Sequence, residues 1–100
     1  MAEWSDVQAE LEGLLGSRNV YYQPPESIKM KYPAIKFSKT NYHKEFADNR
    51  GYRILPEYEV IVIDPMPDNP VIKKLLERLY CRFDRHYKAD NLNHDVFRLY

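Results

Sequence analysis

The sequence predicts an α+β fold, with an antiparallel or mixed sheet of about four to five strands and two helices packed mainly on one face. The first observation is residues 57–64, where four consecutive β-branched residues are typical of a strand buried on both faces. The second is that apolar residues recur at helical spacing in residues 3–15 and 70–80. The third is that the remaining apolar runs are short and bounded by turn residues. The face without helices then needs cover from loops, water or another copy.

Composition indicates a single globular domain over residues 1–100. This length is sufficient to bury a core without disulfides or metal. Hydrophobic residues (44%) and charged residues (30%) exclude a disordered chain, and no apolar run approaches the roughly 20 residues of a membrane span. Fifteen basic and fifteen acidic side chains cancel, which lowers the expectation of a nucleic-acid partner. The first residues lack the pattern of a signal peptide and the single Cys81 fits a reducing compartment, so we expect neither export nor a membrane partner.

The first predicted helix covers about residues 3–15, and Gly16 follows its end as helix-terminating glycines do. Its apolar residues at helical spacing are Trp4, Val7, Leu11, Leu14 and Leu15. A short strand is predicted at residues 18–23, because the prolines at 24 and 25 cannot donate to a strand ladder.

The second strand is predicted at residues 34–38, with Ile35 and Phe37 facing inward. Alternation is lost over residues 39–55, which we interpret as a long polar loop with a tight turn at residues 48–51. Loops of this length in compact domains are usually functional or mobile. The loop therefore suits a contact surface better than a core.

The central strand, residues 57–64, leads through a proline-rich segment to a second helix that begins at Pro70, capped by Asp68 or Asn69. This helix should pack on the central strand. We expect one shared core of Val60, Val62, Leu75, Leu76 and Leu79. Residues 81–87 and 95–100 then form a hairpin around the turn-forming residues 88–94.

One cluster of acidic residues and histidines could in principle supply metal ligands: Asp84, His86, Asp90, His94 and Asp95. Asp84 and His86 are expected to share a strand face, whereas residues 90–94 fit turn chemistry, and we favour strand and turn roles over metal binding. Cys81 follows an apolar helix end, the setting of an inert buried thiol. The three glycines do not form a phosphate loop. We predict no enzymatic activity, no metal and no cofactor.

Tyrosine is the unusual feature of the composition, with nine among fourteen aromatic residues. Large amphipathic rings of this kind are enriched at protein interfaces. Five of the tyrosines could alternatively stack bases, as sheet aromatics do in single-strand RNA readers: Tyr21 and Tyr22 on a predicted strand, and Tyr80, Tyr87 and Tyr100 elsewhere. A small nucleic-acid-binding module therefore stays open as an alternative, although the Lys/Arg-Gly-Phe motif of such readers is absent.

Four blocks of the sequence, residues 21–35, 46–49, 58–64 and 81–95, resemble small structural proteins of long-tailed bacteriophages and prophages. The family is that of tail-terminator or tail-completion proteins. The resemblance covers most of the chain after residue 20, and the first helix is generic. It implies a virion protein of the tail or neck, assembled in the cytoplasm of the host bacterium, that forms a typically hexameric ring on the head-proximal end of the tail tube.

Such a ring stops polymerisation of the tube and provides a docking face for the head connector. Its partners would be other copies of itself, the tail tube protein and the connector, with nucleic acid only as the passing genome. Expected contact residues lie in the loop and the first strand: Tyr21, Tyr22, Lys39, His43, Lys44, Phe46, Asp48 and Arg50. Another neck or head-completion connector protein is the alternative within phage morphogenesis.

Overall fold

The computed structural model describes residues 4–25, 27–46, 52–78 and 80–100. These residues form two helices and one five-stranded sheet with strand order β1-β2-β3-β5-β4. Strand β1 runs parallel to β2 and the other neighbours are antiparallel, so the sheet is mixed and the α+β prediction is confirmed. In chain order the elements are α1 Trp4–Leu15, β1 Val20–Tyr22, β2 Ala34–Phe46, β3 Tyr52–Asp64, α2 Pro70–Leu76, β4 Cys81–Ala89 and β5 Leu92–Leu99.

Strand β3 is the central strand, as its β-branched stretch predicts. It pairs with β2 on one edge and with β5 on the other. Val60 and Val62 are buried on the face that carries the helices, and Ile61 and Ile63 are buried on the opposite face. Burial on both faces explains why this segment has no polar face between residues 60 and 63.

The main core lies between the sheet and the two helices. Val7 and Leu11, four residues apart on α1, meet Val71 and Leu75 of α2 over the aromatic rings of the sheet. The predicted burial of Val60, Val62 and Leu75 is confirmed. That of Leu76 is wrong, since 51% of this residue is exposed, and Leu79 lies outside the described residues.

The exposure of Leu76 follows from the length of α2. The prediction extends this helix to residue 80, but it ends at Leu76, and Glu77 caps it. Tyr80 then adopts a left-handed backbone with φ of 59°, and its carbonyl accepts a hydrogen bond from the Tyr100 N–H at 3.1 Å. A short helix presents only one stripe to the sheet, and Val71 and Leu75 occupy it.

The end of α1 and the start of α2 lie where glycine and asparagine predict them. Gly16 has φ of 75°, and its N–H donates to the Glu12 carbonyl at 2.9 Å after α1. Asn69 is the cap of α2, because its side-chain oxygen accepts from the Val71 N–H at 2.9 Å. The Asn69 amide in turn donates to the Asp64 carboxylate at 2.6 Å, which ties the helix start to the end of β3.

The predicted loop over residues 39–55 is wrong for its described residues, because β2 and β3 form one long hairpin. The strands pair from Ala34 with Ile63 to Phe46 with Tyr52, with a bulge at Thr40. Strand β5 pairs with β3 only over residues 58–64, and β1 pairs with β2 only over residues 35–37. The rest of the hairpin, residues 40–46 and 52–57, is called the arm below. The predicted turn at 48–51 lies outside the described residues.

The arm gives the protein its elongated shape of 50 × 25 × 23 Å. It was missed because polar and apolar residues alternate poorly there, so the buried side chain of Leu55 is not part of a recognisable strand pattern. Its pairing uses backbone groups, which leave no pattern in the side chains.

Strands β4 and β5 form the predicted hairpin with a shorter connection than expected. Asp90 and Asn91 are the two turn residues, with φ of 53° and 61°, as in the turns that favour such hairpins. Lys88 and Ala89 belong to β4, and residues 92–94 belong to β5. The predicted turn over 88–94 is therefore corrected to these two residues.

The face without helices is covered in part by the segment before β2. Met30 and Leu92 pack against a small cluster of Ile61, Ile63 and Val96. The remainder of this face is polar. Within the described residues, no helix is long and apolar enough to cross a membrane.

Candidate functional site

The arm carries exposed apolar side chains on one face. Tyr42 pairs with Pro56 and Lys44 with Ile54, so Tyr42, Lys44 and Ile54 share the face that the helices cover farther along the sheet. Tyr42 is 53% exposed and Ile54 is 40% exposed. Large exposed apolar groups on a projecting hairpin make this face a candidate contact surface.

The bulge at Thr40 determines how Lys39 and Tyr42 meet. An extra residue between two ladder pairs places these side chains on the same face although they are three residues apart. The Lys39 ammonium donates to the Tyr42 hydroxyl at 3.0 Å and lies 5.2 Å from the centre of its ring. This hydrogen bond raises the pKa of Lys39 above its ordinary value. Lys39 thus remains a cation at the base of the arm.

The two tyrosines of β1 are held within the fold. Tyr22 stacks on Trp4 with ring centres 5.1 Å apart and also contacts Phe37 at 4.8 Å. The Tyr21 hydroxyl accepts a hydrogen bond from the Lys31 N–H at 3.4 Å, which holds the segment before β2 against the sheet. Both tyrosines are half-buried, so they offer less free ring surface than the sequence suggests.

The other predicted contact residues fall on or near the arm. Lys44 is exposed on it, and His43 and Phe46 occupy β2 positions opposite Leu55 and Tyr52. Asp48 and Arg50 lie outside the described residues. The structure thus brings Lys39, His43, Lys44 and Phe46 together on one strand and separates them from Tyr21 and Tyr22. Their role in contacts stays a prediction.

An ionic network on the face without helices ties the base of the arm to the edge strand. Arg98 on β5 donates to Glu59 at 3.4 Å and to the Thr40 hydroxyl at 3.3 Å. It also lies 3.5 Å from an Asp84 oxygen and 3.8 Å from a Glu57 oxygen. The spacing of Glu57 and Glu59 by two residues could have predicted a polar face on β3. Their shared partner, Arg98, could not be predicted because it is distant in sequence.

A second exposed surface, called the groove below, lies between α2 and β4. It has a volume of about 630 Å³ and is lined by apolar side chains of Ile72, Leu76 and Phe83. Asp68 and Asp95 contribute carboxylates to its lining. Sequence analysis missed it because Leu76 was expected in the core.

Strand β4 borders the groove and is an edge of the sheet. Each of its residues after Cys81 is exposed. Phe83 is 45% exposed, and its ring makes an edge contact with Phe97 at 5.5 Å. The strand therefore presents both unpaired backbone groups and an apolar side chain to the surroundings.

The acidic and histidine cluster is dispersed by a bulge in β4. Phe83 pairs with Phe97 but Arg85 pairs with Val96, so Asp84 is the extra residue. As a result Asp84 turns to Arg98, whereas His86 contacts Asp95 at 2.7 Å on the opposite face. The prediction that Asp84 and His86 share a face is wrong for this reason.

The remaining cluster members have other neighbours. The His94 ring stacks on Tyr87 with centres 4.6 Å apart, and Asp90 is a turn residue. Among the described residues, no group of three histidine, cysteine or acidic side chains is arranged to hold a metal. Cys81 is half-buried, and this burial raises the pKa of its thiol, which disfavours the reactive thiolate.

Comparison with known proteins finds neither a matching protein-family model nor a curated protein with significant similarity.

Proposed function

We propose that the protein is a structural component of a long-tailed phage virion, a tail terminator. It forms a ring, typically a hexamer, at the head-proximal end of the tail tube. There it stops tube polymerisation and provides the surface on which the head connector docks. The phage genome passes through the ring.

The observation that carries this proposal is the arm. A two-stranded hairpin is at best marginally stable alone in water, and this one continues past the strands that support its base. It also exposes Tyr42 and Ile54 on one face. The exposed apolar side chains of the arm would be removed from water if another subunit covered this surface in an assembly.

A ring also explains why one subunit has two different exposed surfaces. The first is the arm, which extends β2 and β3 beyond their neighbouring strands, and the second is the edge strand β4. Contacts between unlike surfaces are heterologous, and they close into a ring when the rotation between neighbouring copies allows it. A ring on a tube is therefore a natural product of such a subunit.

The nucleic-acid-binding alternative relies on tyrosines that stack bases. Tyr22 is less suited to this role because it already stacks on Trp4 and contacts Phe37, whereas Tyr80 and Tyr87 are exposed. The balanced charge of the chain favours a protein partner as well.

Tail length provides the test. The purified protein should form rings in negative-stain images and bind one end of isolated tail tubes. Phage that lack the protein should make overlong tails, because nothing stops tube growth. Tails of normal length with unattached heads would instead identify a head-completion connector. A protein that neither binds tubes nor affects the virion contradicts both.

A further inference from the structure

We propose that the arm of one copy docks in the groove between α2 and β4 of the next copy. This inference rests on the proposed ring and names the surface that receives the arm. The contact joins Tyr42 and Ile54 of one subunit to Ile72, Leu76 and Phe83 of its neighbour.

The groove is suited to side chains of this size. Its volume of about 630 Å³ falls within the roughly 300–1,000 Å³ in which proteins bind compact apolar groups. Ile72 is partly buried at its base, while Leu76 and Phe83 are about half exposed and have apolar surface to cover. Filling the groove would remove this apolar surface from water.

The arm and the groove also complement each other in charge. The groove contributes the carboxylate of Asp68, that of Asp95, which His86 contacts at 2.7 Å, and one ammonium, that of Lys73. The arm face that carries Tyr42 and Ile54 also carries the exposed Lys44. Opposite charges at the edge of an apolar contact orient the two surfaces.

The edge strand β4 adds backbone groups to the same site. It lies beside the groove with an unpaired edge, and the arm strands have unpaired edges of their own. When a strand is added at such an edge, its backbone forms hydrogen bonds with the edge strand, and alternate side chains enter neighbouring pockets. The arm has both a free backbone edge and the alternate side chains Tyr42 and Lys44 on one face.

The arm is unable to reach the groove of its own chain. Phe83 pairs with Phe97, which pairs with Val60, and at about 3.3 Å per residue Val60 lies roughly 20 Å along β3 from Ile54. The arm continues away from that point. The contact must therefore join two copies, and since it joins unlike surfaces it is heterologous.

Two variants that each disable one surface test the contact. Leu76→Lys introduces a charge of the same sign as Lys44 in the groove, and Ile54→Glu introduces a charge of the same sign as Asp68 and Asp95 on the arm. Ile28 is exposed and lies outside both surfaces, so Ile28→Lys and Ile28→Glu are matched controls. Tyr42→Glu serves as a second arm variant if Ile54→Glu lowers the melting temperature.

Each variant alone should remain monomeric in light scattering, whereas the controls assemble like wild type. A mixture of Leu76→Lys and Ile54→Glu should form a one-to-one pair and nothing larger, because it contains one intact arm and one intact groove. Native mass spectrometry identifies that pair.

Rings formed by the variants, or a mixture that stays monomeric, would overturn the inference. A wild-type protein that is monomeric at its highest soluble concentration would overturn it too. Binding to tail tubes and tail length are measured separately, so the terminator function can survive the loss of this particular contact.

Discussion

At its sheet end the β2–β3 hairpin is flanked by β1 and β5 and packs under two helices, whereas the arm at its other end lacks flanking strands within the described residues. Val60 and Val62 are packed under two helices, and burial of such side chains contributes roughly 1.5–3 kcal/mol each. Cross-strand pairs of the kind that hold the arm contribute about 0.2–1 kcal/mol each. The same two strands are thus stabilised by burial of apolar side chains at the sheet end and mainly by cross-strand pairing in the arm.

Substitutions in the two regions should therefore have different effects. Changes at the sheet end should alter folding, and changes on the arm should alter association.

Leu75→Ala should lower the free energy of unfolding by about 2–5 kcal/mol, since Leu75 is fully buried between α2 and the sheet. Leu76→Ala, one residue along the same helix, is the matched control and should change it by less than about 1 kcal/mol because Leu76 is half exposed. Urea unfolding measures both. Equal losses for the two variants would contradict the orientation of α2.

Asn69→Ala should lower the free energy of unfolding by about 0.5–2 kcal/mol, because Asn69 accepts from the Val71 N–H as the cap of α2. Asp68→Ala is the neighbouring control and should have little effect on thermal unfolding. If Asp68→Ala were the more destabilising variant, Asp68 and not Asn69 would be the cap.

Arg98→Gln should cost about 1 kcal/mol or less, since its ion pairs are partly exposed and long. The loss should shrink as salt is added, because salt screens exposed charges. Unfolding of wild type and variant at low and high salt tests this, with Lys88→Gln as a control on the edge strand, where Lys88 is exposed and pairs with Asn93. A loss that is independent of salt would indicate that the network acts through packing.

Lys44→Glu should leave stability within about 0.5 kcal/mol of wild type, because Lys44 is exposed on the arm. It should nevertheless weaken assembly, and wild-type assembly should weaken with added salt. Light scattering beside a melting curve separates the two effects, with Lys36→Glu as a control outside the arm. Unchanged assembly would remove Lys44 from the contact surface.

The elements that could be predicted from the sequence are those whose residue types depend on local burial and capping. The β-branched residues of β3 require burial on both faces, and apolar spacing with Gly16 places α1 and its end. Pro70 and the preceding Asn69 similarly mark the start of α2. These signals are local, so they can be interpreted without knowledge of the tertiary structure.

The arm, the groove and the position of Asp84 could not be predicted from the sequence, because they depend on contacts between distant segments. The arm depends on backbone pairing between distant residues, and the exposure of Leu76 depends on where α2 stops before β4. Asp84 was separated from His86 by a bulge, which shifts every later side chain of β4 to the other face. Register and helix length are set by contacts across the sheet, and residue types in one segment do not specify them.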